Sequence, residues 1–331
     1  NAPAVNLAAL FSPEHGLEGS REGAIEDTSD ENTGLPVFSL YGATRRPEDR
    51  TAEGLDAIVI DLQDAGVRFY TYATTMAYVL EFAAAKGLKV FVLDRPNPIG
   101  PAGVRGPVLE PDLRSFIGYF PLPLQHGMTI GELALLFNSE NAIGASLSVV
   151  PMKGYRRALW YDETGLGWTC PSPNLRTVEQ AILYPGVALI EAANVSVGRG
   201  TDTPFQLAGA PWIEGGELLA ALENRPIPGI GLEAADFTPK VDPYAGAVCR
   251  GVAFRLANRS AFDAPRLGIE LASSLFSLDA EQFSIDKTLS HLGSKTVLSA
   301  IKTGRPYDEI AGSWEPGLRN FMLIRQRYLL Y

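Results

Sequence analysis

Residues 57–93 read AIVIDLQDAGVRFYTYATTMAYVLEFAAAKGLKVFVL, and this stretch decides the fold. Ala57–Leu62 is a short, nearly continuous apolar run, as expected of a strand buried on both faces. Tyr72, Met76, Val79, Leu80 and Ala83 then recur at the spacing of one helix face, and Gly87 suits the left-handed residue that ends a helix. Leu88–Leu93 is a second apolar run. Strand, helix and strand at this spacing predict a parallel pair, because parallel strands need a crossover connection.

The pattern extends in both directions. Leu7–Phe11, almost at the start and with no βα unit between it and Asn1, and Leu147–Val150 are further strand-like runs. Ile130, Leu133, Ala134 and Phe137 mark a second helix, opened by Thr129 and Glu132 in the T-x-x-E pattern of a capping box. An α/β fold follows, with a doubly wound parallel sheet expected over residues 1–175. Beyond it the composition changes: Tyr184-Pro185-Gly186, Gly209-Ala210-Pro211 and Pro226-Ile227-Pro228-Gly229 punctuate the chain. Alternation over Ala247–Leu256 predicts antiparallel strands, and helical spacing recurs over Leu267–Phe276, Lys295–Ile301 and Gly317–Tyr328. Residues 176–331 are therefore expected to form a smaller α+β domain that closes a cleft against the first. A length of 331 residues agrees with two domains.

Composition narrows the function. Lys and Arg total 28 against 38 Asp and Glu, a formal net charge of -10. Nucleic acids and anionic membranes are poor partners for such a chain, and an anionic ligand must be met by individually placed arginines. No apolar run approaches the roughly 18 residues of a membrane span, and no leader with a basic and an apolar segment opens the sequence. Two cysteines, Cys170 and Cys249, make neither a disulfide framework nor a zinc site, and both are expected as unpaired, mostly buried thiols.

Ligands of open α/β sheets bind beyond the carboxyl ends of the strands. Three such loops here are rich in polar groups: Ser12-Pro13-Glu14-His15-Gly16, Asp61–Tyr72, and Asp94-Arg95-Pro96-Asn97-Pro98. No strand precedes a glycine-rich dinucleotide fingerprint. Walker, G-x-S-x-G and H-E-x-x-H motifs are missing too, which removes support for hydride transfer, nucleotide hydrolysis and α/β-hydrolase chemistry. Carboxylate chemistry remains, the kind that cleaves glycosidic bonds. Glu14, in a turn set by Pro13 and Gly16, is the candidate proton donor. Asp64 is the candidate second carboxylate, with Asp61 and Asp94 as rivals, although strand-end aspartates as often cap helices or pair with arginines. Glu132 is explained by its cap.

His15 and His126 fit substrate hydrogen bonding better than metal ligation, since they share no ligand spacing with each other or with a carboxylate. His291 is expected to be structural. Arg68, Arg95 and Arg199 are the candidates for gripping an anionic group with a forked guanidinium. Tyr70 offers a sugar platform, whereas Tyr72 falls on the apolar helix face. Ser172 and Asn174 in Cys170–Asn174, and Asn194, Arg199 and Thr201 in Asn194–Thr201, add donors that suit a polyhydroxylated, N-acetylated ligand, with Asn97 in the third loop.

SPEHG (12–16), DLQDAGVRFYTY (61–72), LDRPNP (93–98), HGMTIGEL (126–133), PSPN (171–174), NVSVGRGT (194–201) and PFQLAGAPW (204–212) together resemble the NamZ-like exo-β-N-acetylmuramidase family. The match runs in order from near residue 7 to Tyr331. The resemblance implies a Rossmann-like domain joined to a smaller one with the active cleft between them, and the glutamate of E-H-G, here Glu14, as the catalytic group. It implies removal of N-acetylmuramic acid from the non-reducing end of peptidoglycan fragments, without nucleotide, metal or other cofactor and often outside the cytoplasm. Two departures stand out. Members usually begin with a further strand and an Asn-containing loop that have no counterpart here, and Cys170 replaces an expected aliphatic residue. Two other classes compete: a non-catalytic binder of muramic acid, and a metal-dependent hydrolase built on Glu14, His15, Asp64 and His126.

Overall fold

The computed structural model describes residues 5–331; Asn1 and the start of the expected first domain fall outside them. β1 (Leu10–Ser12), β2 (Thr28–Ser29) and β3 (Pro36–Ser39) form a small sheet in the order β1-β3-β2, with β1 and β3 parallel and Ser12 opposite Ser39. β4 (Ala57–Ile60) leads through a long loop into α1 (Tyr72–Lys86), which returns the chain to β5 (Lys89–Leu93). β6 (Arg105–Val108) and β7 (Pro123–Gln125) form an antiparallel pair before α2 (Ile130–Glu140) and β8 (Ser146–Val150). β4, β5 and β8 are parallel in that order.

The expected helix faces hold. Gly87 ends α1 at φ 68°, its N–H bonded to the carbonyls of Ala83 and Ala84, and the capping box of Thr129 and Glu132 opens α2. Both helices pack together on one face of the β4-β5-β8 sheet, where Met76, Leu80, Val90, Val92, Leu133 and Phe137 are sealed from solvent. The opposite face is more open: Val59 is 60% exposed. Burial on both faces, expected from the apolar runs, is therefore corrected to burial on one. Val and Ile on an outer face still favour a strand, so the run alone does not distinguish the two cases.

In the second half, β9 (Leu207–Ala210), β10 (Ile230–Phe237) and β11 (Cys249–Leu256) make an antiparallel sheet in the order β10-β11-β9, as the alternation predicts. Around it lie α3 (Val178–Val187), α4 (Gly215–Glu223), α5 (Ala264–Leu278), α6 (Leu289–Leu292), α7 (Lys295–Lys302) and α8 (Tyr307–Arg325). Tyr184-Pro185-Gly186 is no loop: it completes the last turn of α3. Pro185 removes one N–H from the helix ladder there, and Gly186 lets α3 meet α5, since a Cβ would stand 2.5 Å from the Ala264 carbonyl. α8 begins ten residues earlier than expected (Tyr307 against Gly317) and crosses back onto β6, with Phe321 in the core beneath the parallel sheet. Both cysteines are free, but Cys170 is exposed, because its turn lies at the surface; only Cys249 is buried.

Candidate active site

The loop between β4 and α1 joins the halves. Ala65, Val67, Phe69 and Tyr70 are buried in the same apolar cluster as Leu183, Val195, Phe205 and Leu292 from the second half. A cavity of about 330 Å³ opens along this seam, walled by Glu14, His15, Tyr41, Arg45, Phe69, Tyr70, Thr71, Phe116, Ser172, Asn174, Tyr184, Glu191, Arg199, Phe205 and His291, among others. A second cavity of about 320 Å³ beside Phe38 is rimmed by the exposed Arg50–Asp27 and Arg50–Glu48 pairs.

Glu14 sits in a tight turn after β1, closed by the Gly16 N–H on the Pro13 carbonyl at 3.1 Å. His15 adopts φ 73° in that turn, and its Nδ1 lies 3.0 Å from the Arg21 carbonyl, so Nδ1 carries the proton. The Thr71 hydroxyl donates to Glu14 Oε2 at 2.6 Å, and the Tyr72 hydroxyl donates to the Glu14 backbone carbonyl at 3.0 Å. One carboxylate oxygen of Glu14 is thus held by the residue that precedes α1. Tyr41 adds a second hydroxyl: burial first, then its hydrogen bond with the Glu14 carboxylate, pushes it up to about 12. Because β1 and β3 are parallel and in register, the chain leaving Ser12 and the chain leaving Ser39 emerge at one edge, which brings Glu14 and Tyr41 together.

A second carboxylate faces the cavity from the other half. Glu191, after the last turn of α3, accepts from Arg199 Nη1 at 2.9 Å. Burial raises its pKa, Arg199 pulls it back, and the charges of Glu14 and Glu22 raise it further. Arg199 also reaches Glu22 at 3.3 Å, and Asn174 donates to the same Glu22 oxygen at 2.5 Å. His291, edge-on to Phe69 at 4.8 Å, is pushed down to about 4, chiefly by burial and then by Arg68, so it is neutral at neutral pH. Tyr70 donates to the Pro171 carbonyl at 2.5 Å, and the Tyr72 hydroxyl, its single proton shared with the Glu14 carbonyl, lies 3.1 Å from it, fixing the Pro-Ser-Pro-Asn turn against the wall.

Of the residues singled out in the sequence, Glu14, His15, Tyr70, Ser172, Asn174 and Arg199 meet at this cavity. Nine others do not line it. Asp64 is 2% exposed; it accepts from the Gly66 N–H at 2.6 Å and faces His126 Nε2 at 3.4 Å. His126, fully buried, accepts from the Met128 N–H. Arg68 is 2% exposed and donates to four backbone carbonyls. Arg95 is paired with Asp61 at 2.6 Å, and Asp94 accepts from Thr129, Gly131 and Tyr331 at the start of α2. Asn97 bonds Ile99 and Met128; Asn194 bonds Gln282 and Ser284; Thr201 bonds the Gly198 carbonyl. Their shared reason is the long loop geometry: polar side chains there satisfy the buried backbone of the loops themselves. The metal-site grouping also separates, with Glu14 and His15 at the cavity and Asp64 and His126 in the interior. Among the described residues no cluster of three or more His, Cys, Asp or Glu side chains gathers to hold a metal.

Sequence reasoning missed Tyr41, Arg45, Thr71, Phe116, Tyr184 and Glu191. Thr71 was inside a quoted loop, and Tyr41 follows the short apolar run Val37–Leu40, which marks another strand end. Glu191 lies between Ile190 and Ala192 with no motif around it.

Comparisons with known proteins fall on one family. Residues 1–179 match the N-terminal model of exo-β-N-acetylmuramidase NamZ, and residues 182–331 match its C-terminal model. The chain is 43% identical to the peptidoglycan β-N-acetylmuramidase NamZ of Bacillus subtilis (strain 168), across 99% of this chain and 81% of that protein. Two crystal structures of DUF1343 family proteins from Bacteroides fragilis are similar. One superposes with a TM-score of 0.90 at 31% identity, covering 100% of this chain and 88% of the other; the second gives 0.77 at 32% identity, covering 98% and 86%.

Proposed function

The chain belongs to the NamZ exo-β-N-acetylmuramidase family, and from that premise we propose that the seam cavity binds terminal N-acetylmuramic acid, with Glu14 as the acid of the reaction. The protein is a glycoside hydrolase that acts as an exo-β-N-acetylmuramidase. One observation carries the assignment of the site: Glu14 is held by Thr71, beside Tyr41, at the wall of a cavity that a second carboxylate, Glu191, also faces.

In this reading the Thr71 hydroxyl fixes Glu14 Oε2, leaving Oε1 to carry a proton to the glycosidic oxygen as the C1–O bond breaks. Water supplies the hydroxyl that ends on C1, and a carboxylate takes its proton. Glu191 fits that second role better than Asp64, which is buried beside His126. A carboxylate whose pKa is raised is also a stronger base near neutral pH. Tyr70 and Tyr184 supply apolar ring surface for the sugar, and Ser172 and Asn174 supply polar groups.

The substrates are read as peptidoglycan-derived muramyl saccharides, met outside the cytoplasm where the cell wall lies. The parallel β4-β5-β8 order with its crossover helices supports reading residues 1–175 as an α/β domain, with residues 176–331 as the second domain. The test is release of N-acetylmuramic acid from a chromogenic β-N-acetylmuramide by wild type and Glu14→Gln. The amide cannot donate a carboxylic proton, so kcat should fall about 10²–10⁴-fold while product binding persists. Full activity in Glu14→Gln would refute the assignment.

A further inference from the structure

We propose that Arg45 is the residue that selects muramic acid over other N-acetylated sugars, by gripping the carboxylate of its lactyl ether. This rests on the muramidase reading of the cavity and adds its specificity element.

The argument begins with charge. Glu191 at the cavity wall and Glu22 behind it stand against Arg199, so even with Glu14 protonated an anionic sugar meets more negative than positive charge unless another cation intervenes. Arg199 cannot be that cation, because it is already shared between Glu191 and Glu22. Arg68 is spent on buried carbonyls, Arg95 on Asp61, and Arg46, the neighbour of Arg45, on Glu81. Arg45 lines the same cavity, and its guanidinium makes no hydrogen bond or ion pair among the described residues.

The side chain is nonetheless placed. Its guanidinium carbon lies 4.3 Å from the centre of the Phe116 ring and 5.3 Å from that of Tyr41. Stacking on aromatic rings uses the face of the guanidinium and leaves its N–H edge free, the edge that meets a carboxylate with two parallel hydrogen bonds. Tyr41, the second ring, also stands beside Glu14 at the cavity wall, where the Glu14 carboxylate helps raise the pKa of its hydroxyl. One residue thus ties the platform for the lactyl group to the acid that acts on the glycosidic oxygen. A sugar lacking the lactyl ether would leave Arg45 unpaired and lose this contact.

The experiment compares N-acetylmuramic acid, its methyl ester and N-acetylglucosamine as ligands, by titration calorimetry with wild type, Arg45→Ala and Arg45→Lys. KM for the chromogenic muramide is measured alongside. Arg45 is exposed, so its substitution does not threaten folding. Wild type should bind the acid about 10–100-fold tighter than the ester, as a charge-assisted pair implies. Arg45→Ala should erase that ratio and raise KM by a similar factor, and Arg45→Lys should restore part of it. The proposal is overturned if wild type binds acid and ester alike, or if Arg45→Ala weakens both equally. Failure of the activity reading looks different: wild type would release no muramic acid, while the acid-to-ester ratio would still decide the role of Arg45.

Discussion

Replacing Arg68 by Met separates a substrate-binding arginine from a structural one. Its Nη1 donates to the carbonyls of Pro107 at 2.8 Å and Leu122 at 3.0 Å, and its Nη2 to those of His291 at 2.6 Å and Leu292 at 2.9 Å. The last two belong to α6, where a cation is favoured at a helix's carboxyl end. Four charge-assisted bonds at about 1.5–3 kcal/mol each give about 6–12 kcal/mol gross. Against this, burial pushes the guanidinium well below its usual range, to about 9, a desolvation cost of about 5 kcal/mol. The net is about 1–7 kcal/mol, centred near 4, in line with the roughly 3–5 kcal/mol typical of breaking a buried polar network. Arg68→Met should therefore lower stability in urea titration by about 4 kcal/mol. Gly293→Ala should act the same way. Its backbone has φ 69°, and a Cβ there would stand 2.5 Å from Arg68 Nη2. If Arg68→Met instead keeps its urea midpoint and raises KM for the muramide, Arg68 touches substrate and this account of the seam is wrong.

Asp64→Ala should leave kcat for the muramide within a few-fold of wild type. It should cost about 1–3 kcal/mol in urea titration, since the Gly66 N–H loses its buried acceptor. The converse result, full stability with lost turnover, would return Asp64 to the catalytic pair. Glu191→Gln should lower kcat by about 10²–10⁴-fold with a normal thermal midpoint. The pH profile carries a sign. Glu191 titrates above the usual carboxylate range, and Arg199 holds it down. As the base it must be ionised, so activity should fall on the acid side, and Arg199→Ala should move that limb to higher pH. A limb that stays put or moves down rules out Glu191 as the titrating base.

How far the chain could be read before folding is visible in particular residues. Helix ends were legible because their signals are local: Gly87, or Thr129 with Glu132, acts within one turn of the residues it caps. Site residues were legible where a strand run announced its own end, which is why Glu14 and Tyr70 were found. Arg68 and Asp64 misled for a related reason. The loop that carries them is polar in sequence, yet its backbone passes through the interior, and a buried loop must bring its own hydrogen-bonding partners. Polar residues that serve the loop and polar residues that serve a ligand have the same composition. What brings Arg45 and Glu191 to one cavity is the assembly of the seam: β3 lies beside β1, and the chain after α3 faces both. Charge complementarity is a property of that assembled surface. Arg199 looks like an anion grip until two glutamates, at positions 22 and 191, are found already holding it. Arg45 looks like a surface arginine until Phe116 and Tyr41 are found beneath it. A free cation can be recognised only after the partners of all the others are known, and that accounting exists in the fold alone.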